Sequence, residues 1–99
     1  MTSEEVSLDT EQWYVYMVRC NDGSLYTGIT TDLTRRVAEH NKSPRGARYT
    51  RARRPVALVY EEGLPDRSSA CRQEWQIKQL CRSAKEMLIT SPHQCMAKF

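Results

Sequence analysis

The segment from Leu25 to Asn41 constrains the fold of this chain more than any other part of the sequence. Leu25, Thr27 and Ile29 alternate with their neighbours at the period of a β-strand. The polar residues at positions 30–32 can accept hydrogen bonds from the free N–H groups of a first helical turn. Helical spacing of the apolar residues follows at once. The segment therefore predicts a short strand that runs directly into a helix, from about Asp32 to about Asn41.

Three reactive side chains lie on these two predicted elements. Tyr26 lies on the strand, and Arg36 and His40, four residues apart, project from one face of the helix. A phenol, a guanidinium and an imidazole then share one surface. Hydrolysis of a phosphate ester uses such parts, because it needs a proton acceptor and a fixed cation beside an anionic transition state.

The remaining elements are predicted from residue type and from the turn and helix-cap residues between them. Residues 12–20 are rich in aromatic and β-branched residues and predict a first strand. Its side chains should alternate, with Trp13, Val15 and Met17 on one face and Tyr14, Tyr16 and Val18 on the other. A turn at Asn21-Asp22-Gly23 joins it to the strand at 25–30. Residues 42–54 predict an irregular loop, and the apolar run at 55–60 predicts a well-buried third strand. The connection at 61–65 leads to a helix that Asp66 or Ser68 can cap and that runs to about Cys81.

The last predicted helix begins with a capping box at Ser83–Glu86 and ends at Ser91-Pro92. The order β-β-α-β-α-α predicts an α+β domain with a three-stranded antiparallel or mixed sheet flanked by helices. We expect this domain to span residues 12–90, between a flexible N-terminal tail at 1–11 and a C-terminal tail at 91–99.

Glu74 falls on the stripe of its helix that otherwise predicts a core-facing surface. Ala70, Ile77 and Cys81 share that stripe. A salt bridge from Glu74 to Lys78, one turn further on, is the structural alternative to a functional role for this carboxylate.

Positive charge is concentrated between Lys42 and Arg54, where the chain has six cations, no acid and a tyrosine in the middle. Guanidinium groups pair bidentately with phosphate and stack on rings, so an arginine-rich run of this kind favours nucleic-acid contact over a merely solvated face. The residues predicted to make this contact are Arg45, Arg48, Tyr49, Arg51, Arg53 and Arg54.

Length and composition restrict the class of protein. Ninety-nine residues are enough for one domain, and no apolar run approaches the roughly 20 residues of a membrane span. The polar, acidic start of the chain is not a secretory signal, and the four cysteines lack the spacing of a zinc site. We therefore expect a cytoplasmic protein with free thiols and no membrane partner.

Two tripeptides, Tyr14-Val15-Tyr16 and Tyr26-Thr27-Gly28, resemble the paired motifs of the GIY-YIG nuclease superfamily. The first departs from the family by a tyrosine in place of its glycine, and the second by a threonine in place of isoleucine. Arg36 follows the second tyrosine at the family's spacing, with His40 one turn on and Glu74 on a later helix. The chain is most similar to the small stand-alone bacterial members.

This resemblance implies a nuclease that uses one divalent cation, Mg²⁺ or Mn²⁺. It implies that Glu74 holds the metal, that Tyr16 helps to take a proton from the attacking water, and that Tyr26 hydrogen-bonds the phosphate or the nucleophile. Arg36 would hold the phosphate and offset its charge, and His40 would assist proton transfer or orient the nucleophile.

One charge near this site differs from the family's pattern. Many members have a cation directly after the second tripeptide's glycine, and here that position is Ile29. Lys78, one turn after Glu74, is the candidate substitute as a phosphate contact, against the alternative of a merely solvated helix-surface lysine.

Two functions of different classes follow for the chain. One is a metal-dependent endonuclease that cuts DNA in repair or recombination, and the other is a nucleic-acid-binding module that keeps the fold and the basic segment without catalysis. A purely structural role in a repair complex is a third, weaker alternative. Selectivity for a substrate would come from residues 42–54 or from a repair-protein partner, and the sequence leaves the oligomeric state open.

Overall fold

Three antiparallel strands, β1 (Trp13–Arg19), β2 (Leu25–Thr30) and β3 (Ala57–Leu64), form a sheet in the order β2-β1-β3. The computed structural model describes residues 12–90, and the two predicted tails and the predicted helix stop at Ser91-Pro92 lie outside them. The four helices are α1 (Leu33–Lys42), α2 (Arg48–Arg51), α3 (Arg67–Lys78) and α4 (Arg82–Thr90). The predicted fold class is confirmed, with a sheet that is antiparallel throughout.

The central strand β1 divides the core into two clusters. Val15 and Met17 point to one face of the sheet, where they pack with Ile77 of α3 and Leu88 of α4. Tyr16 and Val18 point to the other face, where Leu33 and Val37 of α1 lie against them. The alternation predicted for this strand is therefore confirmed, and it directs Tyr16 toward the helix that carries the predicted arginine and histidine.

Local signals for turns and helix starts are also confirmed. Gly23 adopts a φ of 87°, the left-handed conformation that its hairpin turn requires. Asp32 accepts a hydrogen bond from the backbone N–H of Arg35 at 3.0 Å, and Asp66 accepts one from the N–H of Ser69 at 2.7 Å. Both aspartates thus cap their helices by satisfying N–H groups that the first turn leaves free.

The third strand differs from its prediction in position and burial. It runs from Ala57 to Leu64, so the segment predicted as a connection belongs to the sheet, paired with β1. Ala57 and Leu58 are exposed, whereas Tyr60 is buried. The prediction of a well-buried strand is wrong because β3 lies at an edge of the sheet, which local composition does not reveal.

The segment predicted as an irregular loop, 42–54, contains the short helix α2. Its arginine-rich composition gives no helix signal. The carbonyl of Ala47 accepts hydrogen bonds from the N–H groups of Thr50 and Arg51 at 3.0 and 3.1 Å and so closes its turn. Helix α3 also ends earlier than predicted, at Lys78 rather than at about Cys81.

Ser83 lies inside α4 and does not cap it. The carboxylate of Glu86, predicted to complete the capping box, instead forms ion pairs with Arg19 and Arg82 at 2.8 and 2.9 Å. Within residues 12–90, the helices are all too short or too polar to cross a membrane.

Candidate active site

A buried hydrogen bond between β1 and α1 lies at the centre of the site. The phenolic oxygen of Tyr16 is 2.7 Å from Nε2 of His40, and both side chains are at most 1% exposed. Gly28 of β2 pairs directly with Tyr16 in the sheet. A Cβ at position 28 would lie 2.6 Å from the phenolic oxygen, so the glycine of the second tripeptide makes room for the tyrosine of the first.

Burial keeps both members of this pair neutral at pH 7. It raises the pKa of Tyr16 to about 12, because the phenolate loses its hydration. Burial also lowers the pKa of His40 to about 4, and the positive charge of Arg36 acts in the same direction. The bond therefore joins a phenol to a neutral imidazole.

Arg36 is held beside this pair by its own neighbours. Its Nη1 lies 2.8 Å from a carboxylate oxygen of Glu39 and donates to the carbonyl of Arg45 at 3.0 Å. The guanidinium also favours the phenolate of Tyr16, which partly opposes the rise of the Tyr16 pKa caused by burial. A cation is thus positioned at the phenol, where an anionic group of a substrate would be attracted.

Tyr26 connects the buried pair to the protein surface. Its ring meets the ring of His40 edge-on, with centroids 5.4 Å apart, and it stacks on Tyr49 with centroids 6.1 Å apart. The guanidinium carbon of Arg53 lies 3.9 Å from the centre of the Tyr49 ring, and Arg53 also pairs with Asp22 at 3.1 Å. The rings of His40, Tyr26 and Tyr49 thus form an aromatic row that runs from the buried pair to the surface, where Arg53 covers Tyr49.

Glu74 lies on α3, which packs against β1 and β2. Ala70 and Ile77 on the same stripe are fully buried, whereas the Glu74 side chain is 23% exposed. Its carboxylate pairs with Lys78 at 3.2 Å, so the salt bridge named as the alternative from the sequence is formed. The charge of Glu74 also contributes to raising the pKa of Tyr16. The carboxylate is therefore near enough to the phenol for its charge to act on it.

The residues predicted to contact nucleic acid differ in exposure. Arg45, Arg48, Tyr49 and Arg51 are exposed. Arg54 instead donates hydrogen bonds to the carbonyls of Glu39, His40 and Ser43, so its guanidinium is directed at the C-terminal end of α1. The structure therefore gives Arg54 a role in holding α1 that composition did not indicate.

A cleft of about 170 Å³ opens beside the aromatic row. Lys78 and Lys85 line it together with Tyr26 and Tyr49. Lys85, which is half-buried, has no ion pair with any other residue of the 12–90 range. Lys85 could not be identified from the sequence, because its place in a helix that also packs on the core gives no signal of contact with this site.

Thr50 is a second site residue that the sequence does not indicate. Its hydroxyl oxygen lies 2.9 Å from Nδ1 of His40, and the side chain is fully buried. A threonine among arginines carries no distinctive pattern, and only the formation of α2 turns it toward the histidine.

The donor set of the site suits a hard divalent cation held by few protein ligands. Residues 12–90 contain no group of three or more histidines, cysteines, aspartates or glutamates that could enclose a metal. Mg²⁺ is commonly bound by one or two carboxylates and completes its coordination with water and substrate phosphate oxygens. Among the predicted site residues, the partly exposed carboxylate of Glu74 is the group that could serve as such a ligand.

The chain matches a family model and is similar to several known proteins. The GIY-YIG catalytic domain matches residues 12–87. A UPF0213 protein of Desulfotalea psychrophila is 57% identical over 81 residues, which cover 82% of this chain and 74% of the relative. One of Halobacterium salinarum is 53% identical over 75 residues, covering 76% and 96% of the two chains.

Two solution NMR structures are similar to this fold. The UPF0213 protein of Bacillus halodurans is 42% identical, with a TM-score of 0.52 over 89% of this chain and 96% of that one. A protein of E. faecalis is 39% identical, with a TM-score of 0.58 over 84% and 88%.

Proposed function

This chain belongs to the GIY-YIG family, and we propose that it is a metal-dependent endonuclease that hydrolyses phosphodiester bonds in DNA. The observation that carries the proposal is the buried hydrogen bond between Tyr16 and His40, at 2.7 Å, with Arg36 and Glu74 beside it. A neutral acceptor behind a phenol, next to a fixed cation and a carboxylate, is suited to activating water near a phosphate.

Tyr16 and His40 act together as the base in this proposal. A phenol with a pKa of about 12 does not lose its proton at pH 7, so Tyr16 works by exchange. It accepts a proton from the attacking water as its own proton passes to Nε2 of His40. A phosphate anion bound nearby favours the imidazolium, and so raises the pKa of His40 from its resting value of about 4.

Arg36 and Tyr26 hold the phosphate. The Arg36 guanidinium, restrained by Glu39, offsets negative charge as the phosphorus becomes five-coordinate. The Tyr26 hydroxyl donates a hydrogen bond to the phosphate or to the nucleophile. When bound at Glu74, Mg²⁺ or Mn²⁺ supplies Lewis-acid stabilisation of the phosphate and the leaving oxygen.

The exposed face of α2 and the nearby cleft supply contacts to the DNA backbone. Arg48, Tyr49 and Arg51 lie on this short helix, and Tyr49 stacks directly on Tyr26. Lys78 and Lys85 line the cleft together with these rings. A metal held by Glu74 would compete with its ion pair to Lys78, and Lys78 would then be available as the phosphate contact that Ile29 does not supply.

The test is cleavage of labelled branched, nicked, single-stranded and duplex DNAs with Mg²⁺ or Mn²⁺. Wild type is run beside Glu74→Gln, which keeps the size of the side chain but removes its charge. Glu61→Gln, a change at an exposed carboxylate of β3, is the matched control.

We expect metal-dependent cutting that Glu74→Gln abolishes and Glu61→Gln retains. Preference for branched or nicked DNA would support a role in repair or recombination. Salt-sensitive binding of DNA with no cleavage in either metal would refute the nuclease and favour the non-catalytic binding module.

A further inference from the structure

The second nitrogen of His40 is held by a residue of the arginine-rich segment. Nδ1 lies 2.9 Å from the hydroxyl oxygen of Thr50, and both side chains are fully buried. The Thr50 hydroxyl donates in turn to the backbone carbonyl of Ala47, also at 2.9 Å. One chain of hydrogen bonds thus links this carbonyl, the threonine, the histidine and Tyr16.

The donor and the acceptor in each of these hydrogen bonds follow from the number of protons that each group carries. A carbonyl oxygen only accepts, so the single proton of the Thr50 hydroxyl is used at Ala47. The threonine oxygen can then only accept from His40, which requires a proton on Nδ1. A neutral imidazole has one N–H, so Nε2 is left unprotonated and accepts from the Tyr16 hydroxyl.

We propose that Thr50 is a positioning residue that fixes His40 as the Nδ1–H tautomer and thereby leaves Nε2 open to the Tyr16 proton. With the opposite tautomer, Nε2–H would point at the Tyr16 oxygen and the tyrosine proton would have no acceptor. Thr50 touches no reacting atom and acts only through His40.

The consequence for the reaction rests on the proposed nuclease function. As the water oxygen attacks phosphorus, its O–H bond breaks and the proton goes to the Tyr16 oxygen. The Tyr16 O–H bond breaks in the same step, and that proton forms the Nε2–H bond of an imidazolium. The bond from phosphorus to the leaving oxygen breaks, this oxygen takes a proton from solvent, and His40 later returns its own proton to solvent.

Two substitutions separate positioning from packing. Thr50→Val keeps the branched shape but removes the accepting oxygen, whereas Thr50→Ser retains the oxygen and loses only a methyl group. The chain has two histidines. Replacement of His93 by glutamine in every variant therefore leaves His40 as the sole source of imidazole signals.

The first measurement is ¹⁵N NMR of the histidine ring in the metal-free protein, which reports which nitrogen carries the proton without any need for activity. We expect protonated Nδ1 and unprotonated Nε2 in the otherwise wild-type chain and in Thr50→Ser. We expect Thr50→Val to shift the ring toward the Nε2–H form. Protonated Nε2 in the otherwise wild-type chain overturns the proposal even if the valine variant does not fold, and so does an unchanged pattern in Thr50→Val.

The second measurement is the rate of single-turnover cleavage, with the protein in excess over DNA, across pH. We expect Thr50→Val to cut at least about tenfold more slowly, as befits impaired general-base catalysis, and Thr50→Ser to restore the rate. DNA affinity should stay the same in both. If the NMR pattern is as expected and the wild-type protein cuts no DNA, the nuclease function fails while the assignment of Thr50 stands.

Discussion

The buried His40 should make the folded protein sensitive to mild acid. Its pKa falls from an ordinary value of 6.5 to about 4 because burial disfavours the imidazolium, with the charge of Arg36 as the next cause. Below about pH 6.5, the unfolded chain therefore binds a proton that the folded chain does not. Lowering the pH through this range favours unfolding, and the stabilising effect of the neutral histidine is fully present only above it.

The size of the effect follows from the two pKa values. Linkage predicts a free energy of unfolding about 2 kcal/mol lower at about pH 5 than at about pH 7.5, from this one group. Beside burial, three charged groups act on the His40 pKa: Arg36 and Arg54 lower it, and Glu39 raises it. The rings of Tyr16 on β1 and Tyr26 on β2 also face the imidazole.

The assay is urea unfolding followed by tryptophan fluorescence at a series of pH values, with His40→Gln as the matched control. Glutamine can accept from Tyr16 but does not titrate, so carboxylates and His93 contribute equally to both proteins. The wild-type curve should fall by about 2 kcal/mol relative to the variant across this range. Parallel curves would show that His40 is not held neutral, and would remove the basis for the proposed exchange of protons.

Other substitutions test the packing and charge of the site separately. Gly28→Ala should lower the free energy of unfolding by about 1–3 kcal/mol in urea, since its Cβ would lie 2.6 Å from the Tyr16 oxygen. Arg54→Ala should also lower it by about 1–3 kcal/mol through the loss of its charged hydrogen bonds to the end of α1, whereas Arg48→Ala should leave it unchanged and weaken DNA binding. Lys85→Ala should lower DNA affinity and reduce the dependence of log affinity on log salt by about one unit, measured by fluorescence anisotropy.

Elements whose geometry is set by residues adjacent in the chain could be predicted from the sequence. The alternation of β1, the turn at Gly23 and the caps at Asp32 and Asp66 depend on neighbours in the chain, and the structure confirms them. The exposure of β3 could not be predicted in this way. It depends on which strand lies at the sheet edge, a property of strand order rather than of any one segment.

The same distinction, between features set by nearby residues and features set by the fold, applies to the candidate site. The spacing of Tyr16, Tyr26 and Arg36, together with the resemblance to a known family, was enough to select residues that the fold brings together. The protonation of His40 could not be predicted, because it depends on complete burial and on Thr50. The pairing of Glu74 with Lys78 was named only as an alternative, since helical spacing permits the contact without showing whether it forms.

Helix α2 shows why composition alone misrepresents the arginine-rich segment. In four residues it directs Thr50 into the core and leaves Arg48, Tyr49 and Arg51 exposed. A structureless loop could offer the same cations to DNA, but it could not hold a hydroxyl at 2.9 Å from a buried imidazole. Because one short helix carries both groups, any contact that shifts α2 also shifts the partner of His40. The proposed DNA-binding surface therefore includes the helix whose Thr50 holds the proposed proton acceptor, His40.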